Sequence, residues 1–422
     1  MTTRRQIAGS ILGINFRART TPLVLLLLAV LTLAPLAAAQ TLRIIHNFTD
    51  APDGTNPSGR LSIDRSGALY GTAENGGTGY DGGQGIVFRM SSEGETWTIG
   101  RLYTFNTESD GINPSGVQFG PDGVLYGTTS NGGSVYSLRP PVAVGATLVP
   151  TWNITWLNSF PGFDYTYGDV IFDAAGNIYG VTRTGGNNGC NLNRGCGLVY
   201  KLTRDGNMWS MTTLYVFQGG SDGAYPNGVS FDSAGNLIGT AVSGGNNQAG
   251  VIFELTPAGD SWSESVLYNF DCNSNAGCEP AAGLTADGAG NFYGSTIASD
   301  GYSGVIFELS KSINGWTYGV LAKIPDKYYG GPYAPLTLDA QGNLYGTVAD
   351  VALRNPGAVF ELTLTGSSWT FTSLHDFTGP PDGNVPMSTV TIAPNGKLYG
   401  TTYHGGNCCG GLGAGAVWEI TP

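Results

Sequence analysis

Charge is scarce in this sequence. Only 12% of its 422 residues are Asp, Glu, Lys or Arg, and only three are histidine. Cationic residues are outnumbered, 19 against 31 acidic ones. Nucleic acids are bound by Lys and Arg that displace counterions, and anionic membrane surfaces attract the same residues. Neither is expected as a partner. Helix-friendly composition is missing as well, because 67 Gly and 22 Pro argue against a helical bundle. The glycines follow no period of three, which excludes collagen. Gly and Pro together still stay below the roughly 25–30% that marks aperiodic disorder. With 41% apolar residues and 17 Phe, 21 Tyr and 8 Trp, there is ample material for a core. A turn-rich all-β protein remains.

Long apolar runs are absent except for one, Pro22 to Leu36. It follows a basic leader carrying Arg4, Arg5, Arg17 and Arg19 and precedes Ala37-Ala38-Ala39. That order reads as a secretory signal peptide over residues 1–39, cleaved after Ala39. The run is short for a membrane span. Thr3-Arg4-Arg5 hints at a twin-arginine signal, but the apolar run starts too far downstream, so the general secretory route is expected. No lipobox cysteine and no apolar tail appear, so the product is expected outside the cytoplasm without a membrane anchor. Cleavage leaves 15 of the 19 basic residues against 31 acidic ones, a net charge near −16.

Internal repetition dominates the rest. Tyr70-Gly71-Thr72 recurs around Gly127, Gly180, Gly239, Gly294, Gly346 and Gly400, at spacings of 56, 53, 59, 55, 52 and 54 residues. Each unit reads as four short strands. An Asp-x-x-Gly turn (Asp64 to Gly67, Asp173 to Gly176, Asp232 to Gly235, Asp287 to Gly290, Asp339 to Gly342) joins the first two. A Gly-rich loop leads to the third, where Val251, Phe253 and Leu255 alternate with polar residues. The fourth begins with Trp97, Trp152, Trp209, Trp262, Trp316 or Trp369. Four strands repeated radially make a β-propeller, here with seven blades over residues 40–422. Only six fourth strands begin with Trp. The segment around Arg43 to Phe48 matches Leu374 to Phe377, so residues 40–48 are expected to supply the outer strand of the last blade and close the ring.

The run Gly250-Val251-Ile252-Phe253-Glu254-Leu255-Thr256, with its upstream Gly-Thr and Gly-Gly, resembles the GloVer tandem repeat of secreted bacterial proteins. The resemblance covers essentially the whole mature chain. It implies location and repeat class but no reaction. Members commonly carry a C-terminal surface anchor, which is not expected here. The Asp-x-x-Gly-Asn-Leu-Tyr hairpin is also similar to that of NHL-type and gluconolactonase-like propellers, a likeness of fold that does not transfer function.

The loops between strands two and three, and from strand four to the next blade, emerge on one face. All six cysteines lie there. Cys190 and Cys196, and Cys272 and Cys278, are expected as disulfides. Cys408 and Cys409 are open to a strained vicinal disulfide, bonding elsewhere, free thiols or metal binding. Four loops carry Asp-Gly-x-x-Pro, at Asp53, Asp110, Asp222 and Asp382. These read as turns, with calcium as the sharper alternative because Asp offers hard oxygen ligands. No other cofactor or metal site is expected.

Phe163, Tyr165, Tyr167, Tyr225, Tyr328, Tyr329 and Tyr333 stand in the same loops, beside Asp164 and Asp326. Amphipathic rings of this kind suit sugars or extended peptides, and the alternative is that they simply cover the tops of the blades. His404 is the one histidine placed to reach that face, whereas His46 and His375 fill a strand-four position held elsewhere by Tyr. No nucleophile-elbow sequence accompanies His404, and no catalytic residue is assigned. Glu254, Glu308, Glu361 and Glu419 recur once per blade, too dispersed to act as a pair. The inner strands, such as Leu61-Ser62-Ile63 and Val229-Ser230-Phe231, read as Ser, Thr and apolar residues with no acid–base constellation. The expected function is a secreted binding or scaffolding module for an extracellular glycan or protein. The alternative is a lyase, lactonase or hydrolase using a divalent cation in the channel, and a third possibility is a purely structural surface protein.

Overall fold

The computed structural model describes residues 40–421 other than 50, 78–82, 107–110, 142, 145–146, 149–150, 161–164, 188, 191–193, 207, 300–301 and 409–410. The expected signal peptide, Asp110, Phe163, Asp164 and Cys409 lie outside the described residues.

Seven four-stranded antiparallel sheets form the blades. Blade 1 runs Thr55–Ile63, Leu69–Asn75, Ile86–Glu93 and Thr96–Thr104 from axis to rim. Blades 2 to 6 occupy residues 112–159, 166–216, 224–269, 285–323 and 337–376 in the same order. Blade 7 takes three strands from residues 391–421, and Thr41–Asn47 pairs with its third strand, Ala416–Thr421. The ring therefore closes as the repeat count requires. Phe48, fully buried, anchors the closing strand in the core.

Two close approaches explain the repeated glycines. In every blade the glycine of the Tyr-Gly-Thr motif faces a strand-three aromatic, as Gly71 faces Phe88 and Gly400 faces Trp418. A Cβ at Gly71 would lie 2.7 Å from the Phe88 ring, so the ring lies over bare backbone and any larger residue would displace it. The glycine opening strand three fits the next blade. A Cβ at Gly250 would meet Pro280 at 2.6 Å, and one at Gly415 would meet Pro57 at 2.4 Å. The residue before each of these prolines donates its amide back across the seam, as Glu279 does to the Ala249 carbonyl (2.9 Å) and Asn56 to Ala414 (2.7 Å). It adopts a left-handed backbone in Asn56, Asn113, Tyr225, Glu279 and Val385.

The hairpin aspartates satisfy their turns. Asp64 accepts from the amides of Ser66 and Ala68 and from the Tyr70 hydroxyl. Burial alone would raise its carboxyl, but these donors hold it below its ordinary value. Asp173, Asp232 and Asp287 are lowered by equivalent bonds. The strand-three acidic residues also have structural partners: Glu361 and Glu419 accept from Tyr345 (2.8 Å) and Tyr399 (2.9 Å), while Arg89 donates to Tyr70.

Candidate functional site

The aligned inner strands present one residue per blade towards the axis: Arg60, Gly116, Asp169, Gly228, Gly283, Pro335 and Thr389. Two of these seven are charged, and they meet across the bare backbone of Gly116. Arg60 Nε lies 3.1 Å from Asp169 Oδ2, an ionic contact without hydrogen-bond alignment. The inner strand that reads in sequence as Leu61-Ser62-Ile63 thus begins one position earlier with a charge, Arg60, and blade 3 carries Asp169 at the same register. The signal was the departure of Arg60 and Asp169 from the glycine that three other blades keep.

Glu74, at the end of strand two, joins them at the mouth of the channel on the loop face. Its carboxylate accepts from Ser58 Oγ (2.5 Å) and from the Tyr403 hydroxyl (3.1 Å). Burial raises its pKa despite these bonds. Asn75 and Asn113 extend the polar network sideways, with Asn113 Nδ2 donating to the Glu74 carbonyl and to Asn75 Oδ1 (both 3.1 Å). Asn227, 2% exposed, donates through Nδ2 to the Pro280 carbonyl (2.6 Å). Its Oδ1 has no partner, and the residue lines the channel. The cavity at the mouth measures about 190 Å³ and is completed by Tyr333, Met387 and Pro335.

The tyrosines expected on this face do not gather into one site. Tyr328 is a correction: it is 1% exposed, its ring belongs to the blade 5–6 core, and its hydroxyl donates to Asp376 (2.5 Å). The 3₁₀ turn Asp326–Tyr328 points it inward. Tyr329, next in the chain, is exposed in a left-handed conformation with the Arg354 guanidinium 5.1 Å from its ring centre. Tyr225 packs partly on the blade 3–4 core, and Tyr165 is half-buried beside Thr184. The side chain of Tyr167 lies outside the described residues. Of the expected tyrosines whose side chains are described, Tyr333 alone lines the channel mouth. His404 is half-buried in a blade 7 loop, and burial lowers its pKa against the opposing hydrogen bond that its ring donates to the Gly413 backbone.

The Asp-Gly-x-x-Pro aspartates hold turns together. Asp53, Asp222 and Asp382 each accept from the strand-four ring, His46, Tyr215 or His375, at 2.8–3.2 Å. Each also takes a backbone amide four residues upstream. No group of three or more His, Cys, Asp or Glu capable of holding a metal occurs among the described residues. Disulfides join Cys190 to Cys196 and Cys272 to Cys278, and Cys408 is also disulfide-bonded. Among the described residues, no helix is long and apolar enough to cross a membrane.

A sequence model of the Gloeobacter/Verrucomicrobia repeat matches residues 30–190 and 165–418. No curated protein is matched. Among solved structures, a streptogramin B lyase superposes with a TM-score of 0.58 at 13% identity, covering 90% of this chain and 97% of its own. A virginiamycin B lyase from Staphylococcus aureus gives 0.56 at 15%, covering 91% and 99%. A gluconolactonase from Xanthomonas campestris gives 0.44 at 11%, covering 91% and 90%. At such identities the likeness is one of fold.

Proposed function

Because the chain belongs to the Gloeobacter/Verrucomicrobia repeat family and its symmetry breaks at one end of the axis, we propose that it is a secreted, non-catalytic binding propeller. Its loop face engages an extracellular glycan or protein. The observation that carries the reading is the channel mouth: a concave, rigidly framed cavity where Arg60 and Asp169 replace the neutral axis residues of the other blades and Glu74 adds a carboxylate beside them. Its charged groups contact one another or satisfied hydroxyls, an arrangement suited to holding a ligand. The disulfides fit an oxidising compartment, in line with the leader peptide.

Glycan-array and pull-down screening of the purified protein tests the reading. Retention of a ligand, and its loss when Tyr333 is changed to Ala, is expected. A ligand insensitive to Tyr333→Ala but lost in Tyr329→Ala or Tyr225→Ala would move the site to the blade periphery.

The second reading, a propeller enzyme, is favoured by Glu74, whose raised pKa suits an acid that gives up a proton. Incubation with a type B streptogramin and with aldonolactones, each with and without a divalent cation, separates the two. Turnover abolished by Glu74→Gln would establish catalysis. No turnover is expected.

A further inference from the structure

The cavity at the channel mouth has two unlike walls. On the side of blades 1 to 3 stand Ser58, Arg60, Glu74 and Asp169. Opposite, blades 5 to 7 present Ala282, Pro335, Met387 and the Tyr333 ring. Gly228 and Gly283 bring their backbones together there, and Thr389 is the one polar side chain that blades 5 to 7 place at the axis position.

Two groups on this cavity have needs of opposite kind. Asn227 Oδ1 is an acceptor buried without a donor, on a residue 98% removed from solvent. Arg60 Nε is a donor whose neighbouring carboxylate lies close but out of line. A ligand that satisfies both must offer donors and acceptors a few ångströms apart, and hydroxyl groups do this with a single atom type. The opposite wall asks for an apolar face. A pyranose ring combines a hydroxylated edge with a face of C–H groups, and aromatic or aliphatic side chains accept that face.

Charge narrows the class further. Arg60 and Asp169 offset each other, and both Glu74 oxygens already receive donors from Ser58 and Tyr403. A cation therefore finds no open carboxylate pair among the described residues. An anion meets a protein of strong net negative charge whose one cavity guanidinium already faces a carboxylate. A neutral ligand avoids both conflicts.

We propose that the channel mouth is a subsite for one neutral, hydroxyl-rich sugar ring, the terminal unit of an extracellular glycan. The proposal rests on the binding reading above and names the ligand class of the same site. Its apolar face lies on Pro335 and Tyr333, and its hydroxyls reach Asn227 Oδ1 and Arg60.

Saturation-transfer NMR and calorimetry on the purified protein test it, with D-glucose, D-galactose, D-mannose and N-acetyl-D-glucosamine as probes and D-glucuronate and Ca²⁺ as charged comparisons. At least one neutral sugar is expected to bind. Tyr333→Ala and Arg60→Gln should each weaken it tenfold or more while leaving the melting temperature within a few degrees. Asn227→Asp, which keeps the size but changes the charge, should weaken it too. If that variant unfolds, the other two decide. Stronger binding of glucuronate or Ca²⁺ than of every neutral sugar would overturn the ligand class while leaving a binding propeller standing. Sugar binding unchanged in both Tyr333→Ala and Arg60→Gln would overturn the placement. Failure of all the monosaccharides while an array glycan or protein is still captured would overturn the subsite alone, whereas capture of nothing at all would remove the binding reading with it.

Discussion

The seam between blades 7 and 1 and the seam between blades 3 and 4 do the same job with different chemistry. At the first, Thr391 Oγ1 donates to the Leu61 carbonyl (2.5 Å), Thr401 Oγ1 to Pro57 (3.2 Å), and Asn56 Nδ2 to Tyr403 (3.0 Å). Trp97 lies edge-on to Tyr399 at 5.9 Å. Ser62, Gln118, Ser230, Thr285 and Thr337 make the first of these bonds at other seams. At the blade 3–4 seam Ile171 and Val181 take the two hydroxyl positions, and the contact is apolar, with Tyr179 against Phe231 at 5.0 Å. The backbone latch from Tyr225 to the Cys196 carbonyl (2.8 Å) persists, beside the Cys190–Cys196 disulfide. Polar side-chain bonds thus give way to apolar contact at the blade 3–4 seam, while the seam that closes the ring keeps the kind of bonds found between blades 4 and 5, where Ser230 and Thr240 donate to the Leu284 and Ala282 carbonyls.

The strongest way to break this contrast is to delete residues 40–48. That removes the closing strand and the fully buried Phe48. Loss of such a ring alone costs about 3–5 kcal/mol. A melting curve for the truncated protein should show a large drop and loss of cooperativity, and an unchanged curve would contradict closure by the N-terminal strand.

Next in size is Gly415→Ala. Its backbone is left-handed and its Cβ would meet Pro57, so about 2–5 kcal/mol is expected. Gly206→Ala, also left-handed but in open space, should cost about 1–2 kcal/mol. Chemical denaturation distinguishes packing at the seam from backbone preference alone. Equal losses in the two variants would refute the proline latch.

A smaller effect sharpens the polar difference. Thr391→Val leaves the Leu61 carbonyl without its side-chain donor and should cost about 1–3 kcal/mol. Val181→Thr supplies the hydroxyl that blade 3 lacks and should change stability by no more than about 1 kcal/mol. If the two substitutions shift denaturation midpoints equally, the seams are not chemically distinct.

The smallest effect concerns pH near the blade 3–4 seam. Burial and the charge of Asp222 push the Glu264 carboxyl up to about 7 from its ordinary 4.5. The folded chain then holds this proton more tightly than the unfolded chain, so stability falls as pH rises from about 4.5 towards 7. Glu264→Gln should flatten that part of the stability profile, and a profile identical to that of the parent would contradict the assignment.

Blade number, strand order and closure were legible because they are averages over seven copies. Gly71 and Gly250 stand out as repeated letters, and geometry explains each by a neighbour that needs the space. The small-ring disulfides were legible from spacing. The channel mouth was not, because Arg60 and Asp169 are informative only as exceptions, and an eye trained on the repeat passes over them. Tyr328 misled for another reason: adjacent tyrosines in one loop look alike in sequence, yet a single 3₁₀ turn sends one ring into the core and leaves Tyr329 outside. The inner strands of blades 5 to 7 are short, only two residues each at Thr285–Ala286, Thr337–Leu338 and Thr391–Ile392. In blade 6, Pro335 has no amide to extend the ladder.

The antiparallel register of Thr41–Asn47 on Ala416–Thr421 makes the position of the chain ends an arbitrary cut in a circle. A gene rearranged so that a short linker joins the two ends, and a new opening falls in the hairpin between Ala258 and Ser261, would encode the same ring from a different starting point. Such permuted chains would let a fused domain be displayed from the rim of any chosen blade while the axial cavity stays untouched.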